Sequence, residues 1–221
     1  MIKVLINESD KYFQDGIMHL LRGMFLYEYG QEVEFLKEFS PYNICNANVI
    51  LLSLLRGEAS TCKKEFRGRT RGVVIGLTDT DAKLYEQIPL CYRDMVFISR
   101  RSTRKNMYSG IFKAWGNKNE SAHVLPDVLC ADCPHVQLSE REYIIAVAMM
   151  SGMSTNGIAH KLNVSEKTVY AHKYSIMKKF NIDNKRDLFD FLTYISQRDE
   201  GICENNKHND MAIRGLNIVN L

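Results

Sequence analysis

The stretch Leu138–Phe189, LSEREYIIAVAMMSGMSTNGIAHKLNVSEKTVYAHKYSIMKKFNIDNKRDLF, is punctuated like four short helices and decides how the C-terminal part of the chain is read. Ser139 stands three residues before Glu142. That is the spacing of a capping box, in which the serine accepts a backbone N–H and the glutamate reaches back to the serine's own N–H. Gly152 closes this first helix. Ser154 offers the next N-cap, Ile158, Ala159 and Leu162 share one face, and Asn163-Val164 makes a turn before Ser165 caps a third helix. The order reads as helix-turn-helix.

The third helix, Glu166 to Phe180, sorts into two faces at a period of 3.6 residues. Val169, Ile176 and Phe180 form the inward stripe. Opposite them stand Lys167, Tyr170, Ala171, Tyr174 and Lys178, two tyrosines among lysines at positions no core needs. Exposed aromatics beside cations mark a surface that meets a partner, and a helix of this size fits the DNA major groove. On that reading Tyr170, Ala171 and Tyr174 face the bases with Lys167 close by, while Thr168, His172, Lys173 and Lys178 meet phosphates. Glu166 lies in the first turn, where the helix dipole favours an acid. The same tyrosines under a neighbouring domain would instead make a protein-binding module. Ser139–Arg198 carries nine lysines and arginines against six acids, a surplus of three. So modest a charge calls for dimer avidity and focused lysines.

These residues resemble the LuxR/NarL-type DNA-binding domain. Leu138, Ser139, Arg141, Glu142, Gly152, Ser154, Ile158, Ala159, Leu162, Val164, Ser165, Thr168, Val169, His172, Ile176, Lys179 and Phe180 fall at the family's spacing. Ile144 and Gly157 replace glutamates of the family pattern and weaken its polar anchoring; Tyr170 replaces a lysine and changes what the outward face reads. In the resembling family the last helix, here about Lys185 to Gln197, joins two DNA-binding domains. Leu188, Leu192 and Ile195 are the expected dimer contacts, with Leu192 outward and Phe189 and Phe191 widening the apolar surface. Cover from within one chain is the competing reading.

In the first half, residues 2–6, 49–55, 73–77 and 95–98 are short apolar runs of the kind that become buried parallel strands, and 33–35 is a further candidate. Between them lie apolar positions at helical spacing: Phe13, Ile17, Leu20 and Leu21, then Ile111, Phe112 and Trp115. Strand and helix alternate, which predicts an open α/β sheet with helices on both faces. The opening IKVLINESDKYFQDGIMHLL resembles the start of a NarL-type response-regulator receiver, a flavodoxin-like fold. Such a domain needs an acidic pair to hold magnesium, an aspartate to accept the phosphoryl group, a hydroxyl and a lysine. Carried over by position, these become Glu8 and Ser9, Ser53, Thr78 and Ser99. Serine supplies neither the carboxylate nucleophile nor the counter-charge, so the expectation is a receiver shape that cannot run aspartyl phosphorylation. Arg100 and Arg101 either present cations to this pocket or are merely solvated, the plainer reading.

The 221 residues, 45% hydrophobic, suit two small globular domains. No signal peptide and no run near the ~18 apolar residues of a membrane span is visible, so a cytoplasmic protein with reduced thiols is expected. Cys45, Cys62 and Cys91 are scattered. Cys130, Cys133 and His135 could supply three zinc ligands, with His123 or Cys203 recruited as a fourth, but the plainer reading is a linker, with no metal and no cofactor. The predicted organisation is a receiver-like domain over 1–115, a linker over 116–137, an all-α helix-turn-helix domain over 138–198 and a tail over 199–221. The implied function is that of a transcription regulator, not an enzyme, binding double-stranded DNA as a homodimer or as a heterodimer with another LuxR-type regulator. The auxiliary regulators that pair with the Rcs response regulator are similar in this respect. A chain that sequesters a partner regulator without touching DNA is the alternative.

Overall fold

The computed structural model describes residues 1–66, 69–79, 89, 92, 94–119 and 136–199. The described residues part into two compact units: those within Met1–Gln137 together with Lys179–Ile182, and those within Leu138–Lys178 together with 183–199.

The first unit is built on five parallel strands, β1 (Ile2–Asn7), β2 (Val33–Leu36), β3 (Val49–Ser53), β4 (Val73–Thr78) and β5 (Val96–Ser99). Their spatial order is β2-β1-β3-β4-β5, so the connections reverse direction between β1 and β3. Successive side chains leave a strand on opposite sides, and the apolar runs therefore feed two cores. On one side Val4, Val49, Leu51, Ile75 and Leu77 pack with Ile17, Leu21 and Phe25 of α1 (Lys11–Tyr29) and with Met107 and Ile111 of α3 (Arg104–Asn119). On the other, Leu5, Ile50, Leu52 and Val74 pack with Ile44 of α2 (Pro41–Asn46), Phe66 and Tyr92. Helices thus cover both faces of an open α/β sheet, as the alternation predicts.

Local chemistry sets the helix ends. The Asp10 carboxylate accepts the N–H groups of Tyr12 and Phe13 at 3.1 Å each, satisfying donors that the first turn of α1 leaves free. Gly30, at φ 63°, ends the helix in the left-handed region. Helix α2 was not expected from periodicity, being six residues long. Its signal is local: Ser40 caps Asn43 N–H at 3.3 Å and Pro41 occupies the first turn.

Among the described residues the second unit has four helices, α4 (Glu140–Met150), α5 (Thr155–Leu162), α6 (Glu166–Lys179) and α7 (Lys185–Asp199). Each predicted cap is in place. Ser139 and Glu142 form the full capping box, Gly152 takes φ 77° after α4, and Asn163 takes φ 51° in the turn between α5 and α6. Ser154 caps Gly157 N–H and Ser165 caps Thr168 N–H, both at 3.1 Å. Ile145 and Ala148 of α4, Ile158 and Ala159 of α5 and Val169 of α6 make the core, with Met153 and Val164 packed against it. Burying a Val or Ile side chain is worth about 1.5–3 kcal/mol, so these few residues suffice to fix three short helices against each other.

One expectation is overturned here. Leu188 and Leu192 do not present an outward dimer surface: both are buried within the single chain, Leu192 completely. The i, i+4, i+7 stripe of α7 is its core face, and Ile195 is only half-buried at its end. Among the described residues of α7, the large apolar side chain that stays outside is Phe189, 52% exposed. Cys45 and Cys62 are half-buried. Cys91, the Cys130, Cys133 and His135 cluster, His123, Cys203 and the tail beyond 199 lie outside the described residues.

Candidate nucleic-acid interface

Helix α6 owes its placement to both of its flanking helices. Glu142, buried at the start of α4, uses one oxygen for the Ser139 N–H at 2.8 Å and the other for the Ser175 hydroxyl at 2.7 Å. The capping glutamate is therefore also the anchor of the middle of α6. Asn156 of α5 donates to the Glu166 carboxylate at 2.8 Å, which fixes the N-terminal turn. Ser175 and Asn156 escaped the sequence reading, because nothing in their spacing announces a partner on another helix. Glu166 is both the dipole-favoured acid of the first turn and an inter-helix tie.

With Val169, Ile176 and Phe180 buried, the opposite face of α6 is open. Tyr170 is 53% and Tyr174 70% exposed. Lys167, Ala171 and Lys178 are exposed alongside them. The two tyrosines therefore stand clear of the core. Thr168, His172 and Lys173 sit half-buried on the flank. The Thr168 hydroxyl is shared with that of Ser165 at 2.8 Å, leaving it less free for an outside acceptor than the lysines are. Burial, and then the nearby positive charge of Lys185, holds the Lys173 ammonium below the usual lysine range.

The five positions that the receiver resemblance marks lie at or just beyond the C-terminal ends of the strands. Strand register places Asn7 beside Leu52, Ser53 beside Leu77 and Thr78 beside Ser99. Ser53 donates its hydroxyl to Glu8 Oε2 at 2.7 Å, and Glu8 Oε1 accepts the Asp10 N–H at 2.9 Å. Thr78 is buried, Ser9 is exposed, and Ser99 Oγ accepts the Arg101 N–H at 3.3 Å. Arg100 is not merely solvated: it pairs with Glu8 Oε2 at 3.2 Å and stacks over the Phe13 ring at 4.7 Å. Arg101 is exposed, as the plainer reading had it. A magnesium ion demands several oxygen ligands in tight octahedral geometry. These residues do not fit one: both Glu8 oxygens are already occupied by donors from the chain, and no carboxylate stands at position 53. Among the described residues there is also no group of three or more His, Cys, Asp or Glu placed to hold a metal.

A five-stranded parallel sheet in the order β2-β1-β3-β4-β5, followed by a four-helix unit with an outward-facing third helix, defines a receiver-like domain joined to a helix-turn-helix domain. Residues 136–192, within the second unit, match the family described as bacterial regulatory proteins, luxR family. The chain is similar to the glycerol metabolism activator of Pseudomonas putida, 25% identical over 213 residues, covering 84% of this chain and 92% of that protein. It is also similar to the response regulator UvrY of Escherichia coli K12, 35% identical over 72 residues, a match that spans 33% of this chain and 31% of UvrY. In fold it is like the RcsB protein of Salmonella enterica serovar Typhimurium, solved bound to promoter P1flhDC in the presence of phosphomimetic BeF3-. The TM-score is 0.58 and the identity 19%, with 88% of this chain and 98% of that one covered. No helix among the described residues is long and apolar enough to cross a membrane.

Proposed function

We propose that this chain is a cytoplasmic, sequence-specific transcription regulator that binds double-stranded DNA as a homodimer or as a heterodimer with another LuxR-type regulator, without aspartyl phosphorylation and without enzymatic activity of its own. The observation that carries the proposal is the outward face of α6, where Tyr170 and Tyr174 stand exposed among Lys167 and Lys178. In this reading α6 enters the major groove with Tyr170, Ala171 and Tyr174 toward the base edges and Lys167 at their margin. Lys178, Lys173, His172 and Thr168 meet the phosphates. The domains are a receiver-like domain over 1–115, a linker over 116–137, the DNA-binding domain over 138–198 and a tail over 199–221. RcsB, solved bound to a promoter, supports the assignment by similarity of fold.

The surplus of three positive charges across the second domain makes affinity depend on two copies acting together. Gel retardation of DNA across a salt series tests the reading: retention should fall steeply as salt rises. A chain that captures a LuxR-type regulator yet retards no DNA, alone or with that partner, would replace this reading with partner sequestration.

Independence from phosphorylation follows from Ser53 and its neighbours. A phosphoryl acceptor must be a carboxylate here, and the Ser53 hydroxyl is instead spent as a donor to Glu8. Acetyl phosphate with magnesium should therefore leave the intact mass unchanged. An acid-labile phosphoryl adduct would refute this part.

A further inference from the structure

We propose that the Arg100 guanidinium is the built-in cation of the Glu8 pocket, standing where the receiver resemblance would place a divalent metal ion and excluding one. The inference rests on the receiver-like reading of the first unit and deepens it. Glu8 lies just beyond β1, beside the end of β3, at the point where the strand order reverses. In open α/β sheets this crevice is where ligands bind. Here the chain fills it with its own groups. Glu8 is 7% exposed, and each of its carboxylate oxygens is engaged: Oε1 by the Asp10 N–H, Oε2 by the Ser53 hydroxyl and by Arg100 Nη2 at 3.2 Å. The same guanidinium nitrogen lies 3.9 Å from Asp10 Oδ2, so one cation serves both carboxylates, as a divalent ion would.

The guanidinium is held on two further counts. Its Cζ lies over the Phe13 ring, and the Arg100 backbone N–H donates to the Thr78 carbonyl at 2.8 Å. Arg100 thereby ties the end of β1 to the ends of β4 and β5. A metal ion would have to displace a charge-paired arginine, a hydroxyl donor and a backbone N–H, all aimed at the oxygens it needs. Its removal leaves a buried carboxylate without a counter-charge, which is strongly destabilising, whereas removing both partners is far better tolerated.

The experiment is thermal unfolding of the full chain in EDTA and in millimolar MgCl2 or MnCl2. The unaltered protein should give the same midpoint in all three. Arg100→Met should lower the midpoint by roughly 5–10 °C and should gain a rise with MnCl2, because the negative charge of Glu8 and Asp10 then lacks its cation and a divalent ion can offset it. Glu8→Gln with Arg100→Met should recover most of the loss and show no response to MnCl2. A midpoint of the unaltered protein that rises with either metal overturns the proposal. So does an Arg100→Met protein as stable as the original, or one that ignores MnCl2. If Arg100→Met does not fold, the double variant decides: folded and metal-insensitive upholds the pair, unfolded overturns it. No DNA enters the measurement, so its failure and failure of the DNA-binding reading are told apart.

Discussion

The crevice at the strand ends and the outward face of α6 are both polar, and they differ in where their side chains find partners. In the crevice the chain closes on itself: Glu8, Ser53 and Arg100 are joined to one another. On α6 Tyr170, Tyr174, Lys167 and Lys178 make no side-chain hydrogen bond or ion pair with the described residues and project outward. The difference teaches that residue type alone does not mark a working site. Charged groups saturated within the chain are structure, and polar and aromatic groups held out by a buried opposite face are available to something else.

The largest expected effect concerns the line between inside and outside on α7. Leu192 is fully buried, so Leu192→Glu places an unpaired carboxylate in a buried site on the second unit and should cost about 4 kcal/mol or more. Circular dichroism and thermal unfolding check it: the helical signal of this unit should melt early or be lost. A Leu192→Glu protein with an unaltered midpoint would put that side chain outside after all.

Next in size is the open face itself. Tyr170→Ala should shift sequence preference by about 1–3 kcal/mol at one or two base pairs, while the fold is unaffected. Selection of binding sites from random DNA at fixed salt reads this directly. Weakening that is equal over all sequences would move Tyr170 from the bases to the phosphates.

Most of the second unit was legible in the sequence because its signals are local. Ser139, Glu142, Gly152, Ser154, Asn163 and Ser165 act within a few residues of themselves, and cap chemistry of that range can be read from spacing. The strands were legible from apolar runs for the same reason. What spacing could not reveal was pairing over distance: Glu142 with Ser175, Asn156 with Glu166, and above all Glu8 with Arg100. The misreading of Leu188 and Leu192 has another cause. Periodicity shows that a helix has an apolar stripe, and only the packed unit shows whether that stripe is used within the chain.

The burial of Leu192 moves the dimer question to Phe189. It is the large apolar residue that α7 leaves 52% exposed, and an exposed aromatic of this kind is a candidate anchor for a second copy. Phe189→Glu should leave the unfolding midpoint close to its original value, since surface changes usually stay within about 0.5 kcal/mol. DNA affinity should fall about tenfold, roughly 1.4 kcal/mol, through lost avidity. An unchanged affinity at fixed salt would place the contact between copies on the first unit.

The smallest effect tests polar anchoring beside α6. Helix α4 begins with a complete capping box, whereas α5 has only half of one: Ser154 accepts the Gly157 N–H, but Gly157 has no side chain to reach back. Its φ is not positive, so an added Cβ brings no backbone strain. The nearest atom that such a Cβ meets is Ser154 Oγ at 3.3 Å, the end of a rotatable side chain that can yield a few tenths of an ångström. Gly157→Glu would complete the second cap bond, add an acid at the positive end of the helix and relieve the conformational freedom of a helical glycine. Repulsion from Glu166, paired to the neighbouring Asn156, takes back part of that gain. The net expectation is a stabilisation of about 1 kcal/mol, measured by denaturant unfolding, with DNA affinity unchanged because position 157 lies off the α6 face. A fall in stability would mean that Ser154 cannot give way, and that the glycine is kept for room beside its own cap.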